Sequence, residues 1–259
     1  MDSSSSLKQI DPKIISDLII GYSGYLCKQG RNKVDSMGFL TQRTYLDYCI
    51  SIYFNPVLDK YHKPQDSVGI FVQDNRLAFA IADGVSIIRG TTQNDSGYVA
   101  HKLVSNLPQF YFDKLNSQLK KISRELKNKN TSGASTLSLG IIRHEKDTDQ
   151  IDFSFIGNTL DIGVSMISLG NKLETIQNQS SGYFLSNYRI STKSYELKKC
   201  YDIFLSSDGL KLPMNAVKKL IDMNIKQRSS DFIKVIKQFQ SKIPDDQSII
   251  IISKTNSEH

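Results

Sequence analysis

Asp66-Ser67-Val68-Gly69-Ile70-Phe71-Val72, then Asp74-Asn75, then Leu77-Ala78-Phe79-Ala80-Ile81-Ala82-Asp83-Gly84: on this stretch the reading of the fold turns. Two short runs rich in Val, Ile and Phe flank a pair of turn-forming residues, the pattern of a β-hairpin. One aspartate stands just before the first run and another just after the second. In an antiparallel pair the start of one strand lies beside the end of the next, so Asp66 and Asp83 are expected at one rim. The arrangement recurs near the C-terminus. Asp208-Gly209 follows Ile203-Phe204-Leu205-Ser206-Ser207, and Asp245 precedes Ser248-Ile249-Ile250-Ile251-Ile252. If those strands also pair antiparallel, all four carboxylates share that rim.

Outward from the hairpin, periodicity predicts helices over 95–107 and 109–128, divided near Pro108. Strands are expected around 135–143, 151–157, 160–168, 172–178, 193–198 and 201–206, with turns at 147–149 and 170–171. Two helices near 214–226 and 230–242 precede a last strand, 248–253. Antiparallel strands with helices inserted in two blocks indicate an α+β fold, not a doubly wound parallel sheet. Residues 1–60 read differently. Ile14, Ile15, Leu18, Ile19 and Tyr22 fall at helical spacing, and Tyr45 to Tyr53 suggests a second helix closed by Pro56. This segment is expected to be a helical extension ahead of a domain over 61–254, with 255–259 as a tail.

Gathered carboxylates repel one another, by about 4 kcal/mol per pair at ~4 Å and an effective dielectric of ~20. Such a cluster calls for cations, and oxygen-only ligands select hard ions, Mn²⁺ or Mg²⁺. Water held between two such ions is a suitable nucleophile for attack on a phosphoryl group. A glycine after Asp83 lets the Gly84 carbonyl approach a metal closely. Taken singly, each aspartate also reads as an ordinary turn residue. The functional reading rests on four of them, in order, each beside a strongly apolar strand.

The ordered motifs Gln65-Asp66, Ala82-Asp83-Gly84, Ser132-Gly133-Ala134-Ser135-Thr136, Phe155-Ile156-Gly157-Asn158, Ser206-Ser207-Asp208-Gly209 and Asp245-Asp246-Gln247-Ser248 resemble the metal-dependent type 2C (PPM, or PP2C) protein phosphatases. The resemblance spans about residues 61–254. It implies a PP2C-like β-sandwich of two antiparallel sheets flanked by helices, with two Mn²⁺ or Mg²⁺ ions at one edge. It maps Asp66, Asp83, the Gly84 carbonyl, Asp208 and Asp245 onto the metal-binding positions, and 133–136 onto a structural segment. Several positions depart from the large members of that family. Asn158 stands where an aspartate supports a third metal, Gln65 where glutamate is usual, and Val85 where a histidine is expected. In place of the arginine that holds the substrate phosphate, expected near Tyr61, stand the nearby His62 and Lys63. The short interval from Gly157 to Asp208, with Ser181-Gly182-Tyr183, is similar to the compact bacterial branch of sporulation and stress-response regulators, which act on phosphoserine or phosphothreonine of small regulatory proteins.

The expected activity is therefore hydrolysis of phosphoserine or phosphothreonine on a phosphorylated regulatory protein. Asp66 and Asp83 are expected at the reacting centre, with His62 either donating a proton to the leaving oxygen or binding phosphate together with Lys63. The alternative is a pseudophosphatase that binds a partner without turning it over; Asn158, Val85 and the missing arginine favour it. His101 reads as a packing or surface residue, and Cys200 lacks a pattern that would activate a thiol.

Composition excludes several classes. The 259 residues are 39 % hydrophobic and 23 % charged, the balance of a globular chain. No apolar run has the length of a membrane span. Met1-Asp2 and four serines lack the basic and apolar regions of a signal peptide, so a cytoplasmic setting is expected. Cys27, Cys49 and Cys200 suit neither a disulfide framework nor a zinc site. A net charge of +7 gathers most densely from Lys114 to Lys129. There Leu115, Leu119, Ile122 and Leu126 recur at helical spacing, so the lysines read as the wet face of an amphipathic helix. A basic surface that attracts an acidic partner or phosphorylated substrate is the other reading. Neither nucleic-acid nor membrane motifs are present.

Overall fold

Four consecutive isoleucines, 249–252, cannot all point into one core if they form a strand, because successive side chains face opposite sides. They lie on the strand Gln247–Lys254, covered on both faces, and that requirement organises the molecule. The computed structural model describes residues 18–23, 39–45, 47–57, 64–73, 76–85, 95–144, 148–157, 161–169, 172–176, 180–197, 200–239 and 245–254. In chain order the strands are β1 (Leu18–Ser23), β2 (Phe39–Tyr45), β3 (Tyr48–Asn55), β4 (Ser67–Gln73), β5 (Arg76–Ala82), β6 (Leu137–His144), β7 (Asp149–Ile156), β8 (Ser165–Leu169), β9 (Lys172–Thr175), β10 (Ser181–Gly182), β11 (Tyr188–Arg189), β12 (Ser191–Leu197), β13 (Tyr201–Ser206) and β14 (Gln247–Lys254). One six-stranded sheet runs β1-β4-β5-β6-β7-β12 and the other β2-β3-β14-β13-β8-β9, every pairing antiparallel; β10 and β11 form a separate short ribbon.

The inner faces of the sheets meet in one core. Ile50, Ile52 and Phe54 of β3 and Ile250 and Ile252 of β14 pack there against Ile70, Phe79, Phe153 and Phe155 of the facing sheet. Helices α1 (Ser96–Ser105) and α2 (Leu115–Asn128) cover the outer face of the first sheet. Helices α3 (Met214–Ile225) and α4 (Ser229–Gln238) cover the second, where Ile249 and Ile251 meet Val217, Leu220 and Phe232. Each fully buried isoleucine contributes roughly 1.5–3 kcal/mol. The α+β sandwich of two antiparallel sheets flanked by helices is as expected. Helix α2 buries Leu115, Leu119, Ile122 and Leu126, the four residues that its periodicity selects.

The helical reading of residues 1–60 is corrected wherever they are described. Leu18–Ser23 is a strand paired with β4, and Phe39–Tyr45 and Tyr48–Asn55 are strands of the second sheet, with β3 hydrogen-bonded between β2 and β14. The reason is register on a two-sided sheet. β3 is buried on both faces, so its aromatic and aliphatic residues form a nearly continuous run whose period of two is hidden. Ile14 and Ile15, and the 255–259 tail, lie outside the described residues.

At the end of the sandwich away from Asp66, a buried carboxylate ties the two sheets together. Asp149, 3 % exposed at the start of β7, accepts from Lys254 Nζ at 2.7 Å and Tyr201 Oη at 2.8 Å through Oδ2. Tyr48 Oη also donates to Oδ2 at 3.3 Å, and His144 Nδ1 lies 3.0 Å from Oδ1. These contacts hold the Asp149 carboxyl well below the usual carboxylate range despite burial, which acts the other way. Among the described residues no helix is long and apolar enough to cross a membrane.

Candidate metal centre

Strand order brings the aspartates together. β4 and β5 pair with Ser67 opposite Ala82, so Asp66 and Asp83 are neighbours at one rim. β13 and β14 pair with Ser206 opposite Ile249, which sets Asp208 beside Asp245 in the facing sheet. The two halves meet across the sandwich. Asp66 lies close enough to Asp83, and Asp83 to Asp208, for each pair to interact directly, and Asp245 acts electrostatically on all three.

Each carboxyl is held by local chemistry. Asp66, 2 % exposed, accepts from Ser248 Oγ at 3.0 Å, a bond from β14 to β4 across the two sheets. The Asp83 backbone is clamped by the 132–136 segment. Its N–H donates to Thr136 Oγ1 at 3.2 Å, and its carbonyl accepts from Thr136 N at 2.8 Å and Ser135 Oγ at 2.9 Å. That gives the segment a structural role, as the resemblance implied. Two glycines permit the approach of these loops. A Cβ on Gly84 would stand 2.7 Å from Gln65 Cβ and 2.8 Å from the Ser96 carbonyl carbon. One on Gly209 would lie 2.1 Å from the Asp246 carbonyl oxygen and force Asp208 away from Asp245. Around Gly84 the flanking bonds, Val85 N to Ala134 O and Thr136 N to Asp83 O, belong to the neighbouring residues. The Gly84 carbonyl therefore points away from the 132–136 segment.

Burial and like charge push these acids up together. Asp66 lies well above the usual carboxylate range, first from burial and then from Asp83 and Asp246. Asp83 is raised well above it by burial and by Asp208. Asp208 is pushed up to about 6 by burial first and Asp245 second. No described lysine or arginine forms an ion pair with Asp66, Asp83 or Asp208. Among the described residues no group of three or more His, Cys, Asp or Glu is closed into a preformed metal cage. The donor chemistry still fits a hard divalent cation. It is all oxygen, negatively charged, partly buried, and includes a rim glycine with no room for a side chain.

Two acids of this rim are not singled out by the strand-end pattern. Asp246, 6 % exposed, accepts three backbone N–H groups: Val57 at 2.7 Å through Oδ1, and Gln65 at 2.5 Å and Asp66 at 2.9 Å through Oδ2. It is a strut that sets the backbone of Asp66 relative to Asp245. The doubled aspartate was its only signal. Asp161 accepts from Tyr183 Oη at 2.5 Å and its charge also acts on Asp208. Nothing local in the sequence marks it. His62, Lys63 and Asn158 lie outside the described residues. Val85 is a backbone linker, its carbonyl accepting from Ser96 Oγ at 2.7 Å.

Two antiparallel sheets with paired helices on each outer face and an acidic rim define the fold of the PP2C-type (PPM) phosphatases, and comparison with solved structures gives the same class. A crystal structure of RsbX in complex with magnesium superimposes with a TM-score of 0.63 at 15 % identity, over 84 % of this chain and 100 % of that one. A chain from work on the bacterial stressosome, a modular system adapted to control secondary messenger signalling, matches with a TM-score of 0.59 at 13 % identity, over 80 % and 98 %. The catalytic domain of the serine/threonine phosphatase PstP with two manganese ions matches at 0.54 and 12 % identity, over 83 % and 98 %. No protein-family model and no curated protein matches the sequence.

Proposed function

We propose that this protein is a Mn²⁺- or Mg²⁺-dependent phosphoprotein phosphatase that hydrolyses phosphoserine or phosphothreonine on a regulatory protein in the cytoplasm. One observation carries the reading: Asp66, Asp83, Asp208 and Asp245, scattered over 180 positions of sequence, converge on one rim of a PP2C-type fold. Asp66, Asp83, the Gly84 carbonyl, Asp208 and Asp245 would hold two ions. Bound there, such ions supply neutralisation of phosphoryl charge and acidification of water. The chain's own residues supply placement. Ser248 orients the Asp66 carboxyl, Thr136 and Ser135 fix the Asp83 backbone, and Asp246 sets the Asp66 backbone against Asp245. His62 and Lys63, next in sequence to this rim, are the candidate phosphate anchors. Lysine is a point charge without the arginine fork, so it would hold phosphate with less geometric specificity. Magnesium and manganese in two of the matched structures, and the stressosome origin of a third, support the metal and the regulatory partner.

The test is hydrolysis of a small aryl phosphate by the full chain with Mn²⁺, against Asp208→Asn. Loss of metal-dependent turnover in a variant with unchanged thermal melting is the expected result. Full activity in the variant overturns the assignment. The second reading, a pseudophosphatase, draws on Asn158, Gln65 and Val85 in place of the usual residues. Absence of turnover by the parent at saturating Mn²⁺ against several phosphopeptides would favour it.

A further inference from the structure

Helix α2 carries a surface that the proposed chemistry does not use. Leu115, Leu119, Ile122 and Leu126 form its buried side. At 3.6 residues per turn, Lys120, Arg124 and Lys127 line up on the opposite side, with Lys121 next to them. All four are exposed, and Lys114 and Lys129 continue the charge at either end. From 113 to 130 only Asp113 and Glu125 are acidic. Among the described residues none of the six cations forms an ion pair. Three like-charge pairs sit at i,i+3 or i,i+4 spacing, Lys120 with Arg124, Lys121 with Arg124 and Arg124 with Lys127, and each weakens an isolated helix. The ridge is held in place by burial of the other side, against its own electrostatics.

The chain before and after the ridge leads to the acidic rim. Helix α1 begins there: a Cβ on Gly97 would lie 3.1 Å from the Pro64 carbonyl oxygen and 3.3 Å from Gln65 Cα. After α2 the chain returns to the same place, with Asp95 N donating to Ser132 O at 2.8 Å and Ser132 N to Asp95 Oδ2 at 3.2 Å. The chain that leaves the C-terminal end of α2 thus returns toward the rim. An acidic peptide is repelled by the carboxyl cluster and attracted by the ridge. From Lys120 to Lys127 the ridge rises about 10 Å, the reach of about three extended residues.

We propose that the ridge Lys120, Arg124 and Lys127 docks an acidic, extended segment of a protein partner. Its identification with a segment of the phosphoprotein substrate rests on the phosphatase reading above. Opposite charges on the two surfaces speed encounter and fix orientation more than they deepen affinity.

The experiment is fluorescence anisotropy of the full chain with a labelled Glu-rich peptide bearing one phosphoserine. The parent is compared with the triple variant Lys120→Gln, Arg124→Gln, Lys127→Gln. A second triple variant, Lys218→Gln, Lys219→Gln, Lys237→Gln, loses the same charge from α3 and α4. Three exposed ion pairs in the middle of their usual range amount to about a tenfold loss of affinity. The α2 variant is expected to bind about tenfold more weakly, the α3/α4 variant to match the parent, and parent affinity to fall with added salt. Aryl phosphate hydrolysis should be the same in all three. Equal peptide affinity in the parent and the α2 variant overturns the proposal, as does tighter parental binding to RNA or to anionic vesicles. If no protein hydrolyses aryl phosphate while peptide binding still depends on the ridge, the phosphatase reading fails and the docking surface stands.

Discussion

Asp149→Asn tests how the far rim closes the sandwich. The carboxylate joins β7 of one sheet to Tyr48, Tyr201 and Lys254 of the other, and it is buried with four polar partners. The variant keeps the shape and removes the charge, so Lys254 faces a neutral amide and one former acceptor becomes a donor. Removing one partner of a buried ion pair costs about 3–5 kcal/mol. For a chain of this size each kcal/mol lowers the melting temperature by about 2–4 °C, so a fall of roughly 6–20 °C is expected. Because the native carboxyl is held far below its unfolded value near 3.9, its contribution is fully present above about pH 4. It fades as pH falls further toward the native value. Calorimetry of parent and variant should therefore show a gap that is present at neutral pH and narrows below about pH 4. A melt within about 1 °C of the parent at neutral pH, or a gap that widens as pH falls below about 4, refutes the reasoning. Since this cluster is at the opposite end from Asp66, Mn²⁺ affinity should be unchanged.

Other perturbations address the rim and the helices. Gly84→Ala forces a Cβ into Gln65 and Ser96, so it should lower stability by about 1–3 kcal/mol and weaken Mn²⁺ binding, read by isothermal titration. Asp246→Ala strands three backbone N–H groups and should cost at least about 3 kcal/mol in denaturant melts; a loss under about 1 kcal/mol would show that the strut is dispensable. His101 on α1 is pulled down to about 4, by burial first and Lys102 second. Between its unfolded value near 6.5 and about pH 4 the unfolded chain binds more protons, so stability should drop as pH is lowered through that window, and His101→Gln should flatten the slope.

Much of this protein can be read from local pattern. The hairpin of β4 and β5, the amphipathic α2 and the four-isoleucine strand announce themselves because side-chain period reports which faces are covered. Strand-end aspartates followed by glycine mark a rim, since antiparallel pairing turns chain order into adjacency. The strands within residues 1–60 escape that logic. β3 is covered on both sides, so alternation that would distinguish strand from helix disappears, and its aromatic spacing imitates a helical face. Asp161 and Asp246 escape for another reason: their roles lie in partners remote in sequence, Tyr183 for one, Val57 and Gln65 for the other. The sequence by itself determined an α+β class of antiparallel strands and the candidate ligands Asp66, Asp83, Asp208 and Asp245, because strand periodicity and strand ends are local properties; the two-sheet sandwich was implied by the family resemblance of the ordered motifs. Only the tertiary structure decided that β1, β2 and β3 belong to the sheets, that Asp246 braces Asp66, and that the chain leaving α2 returns toward the acidic rim. Those facts depend on which distant segments share a register, and register is set by burial across the whole molecule.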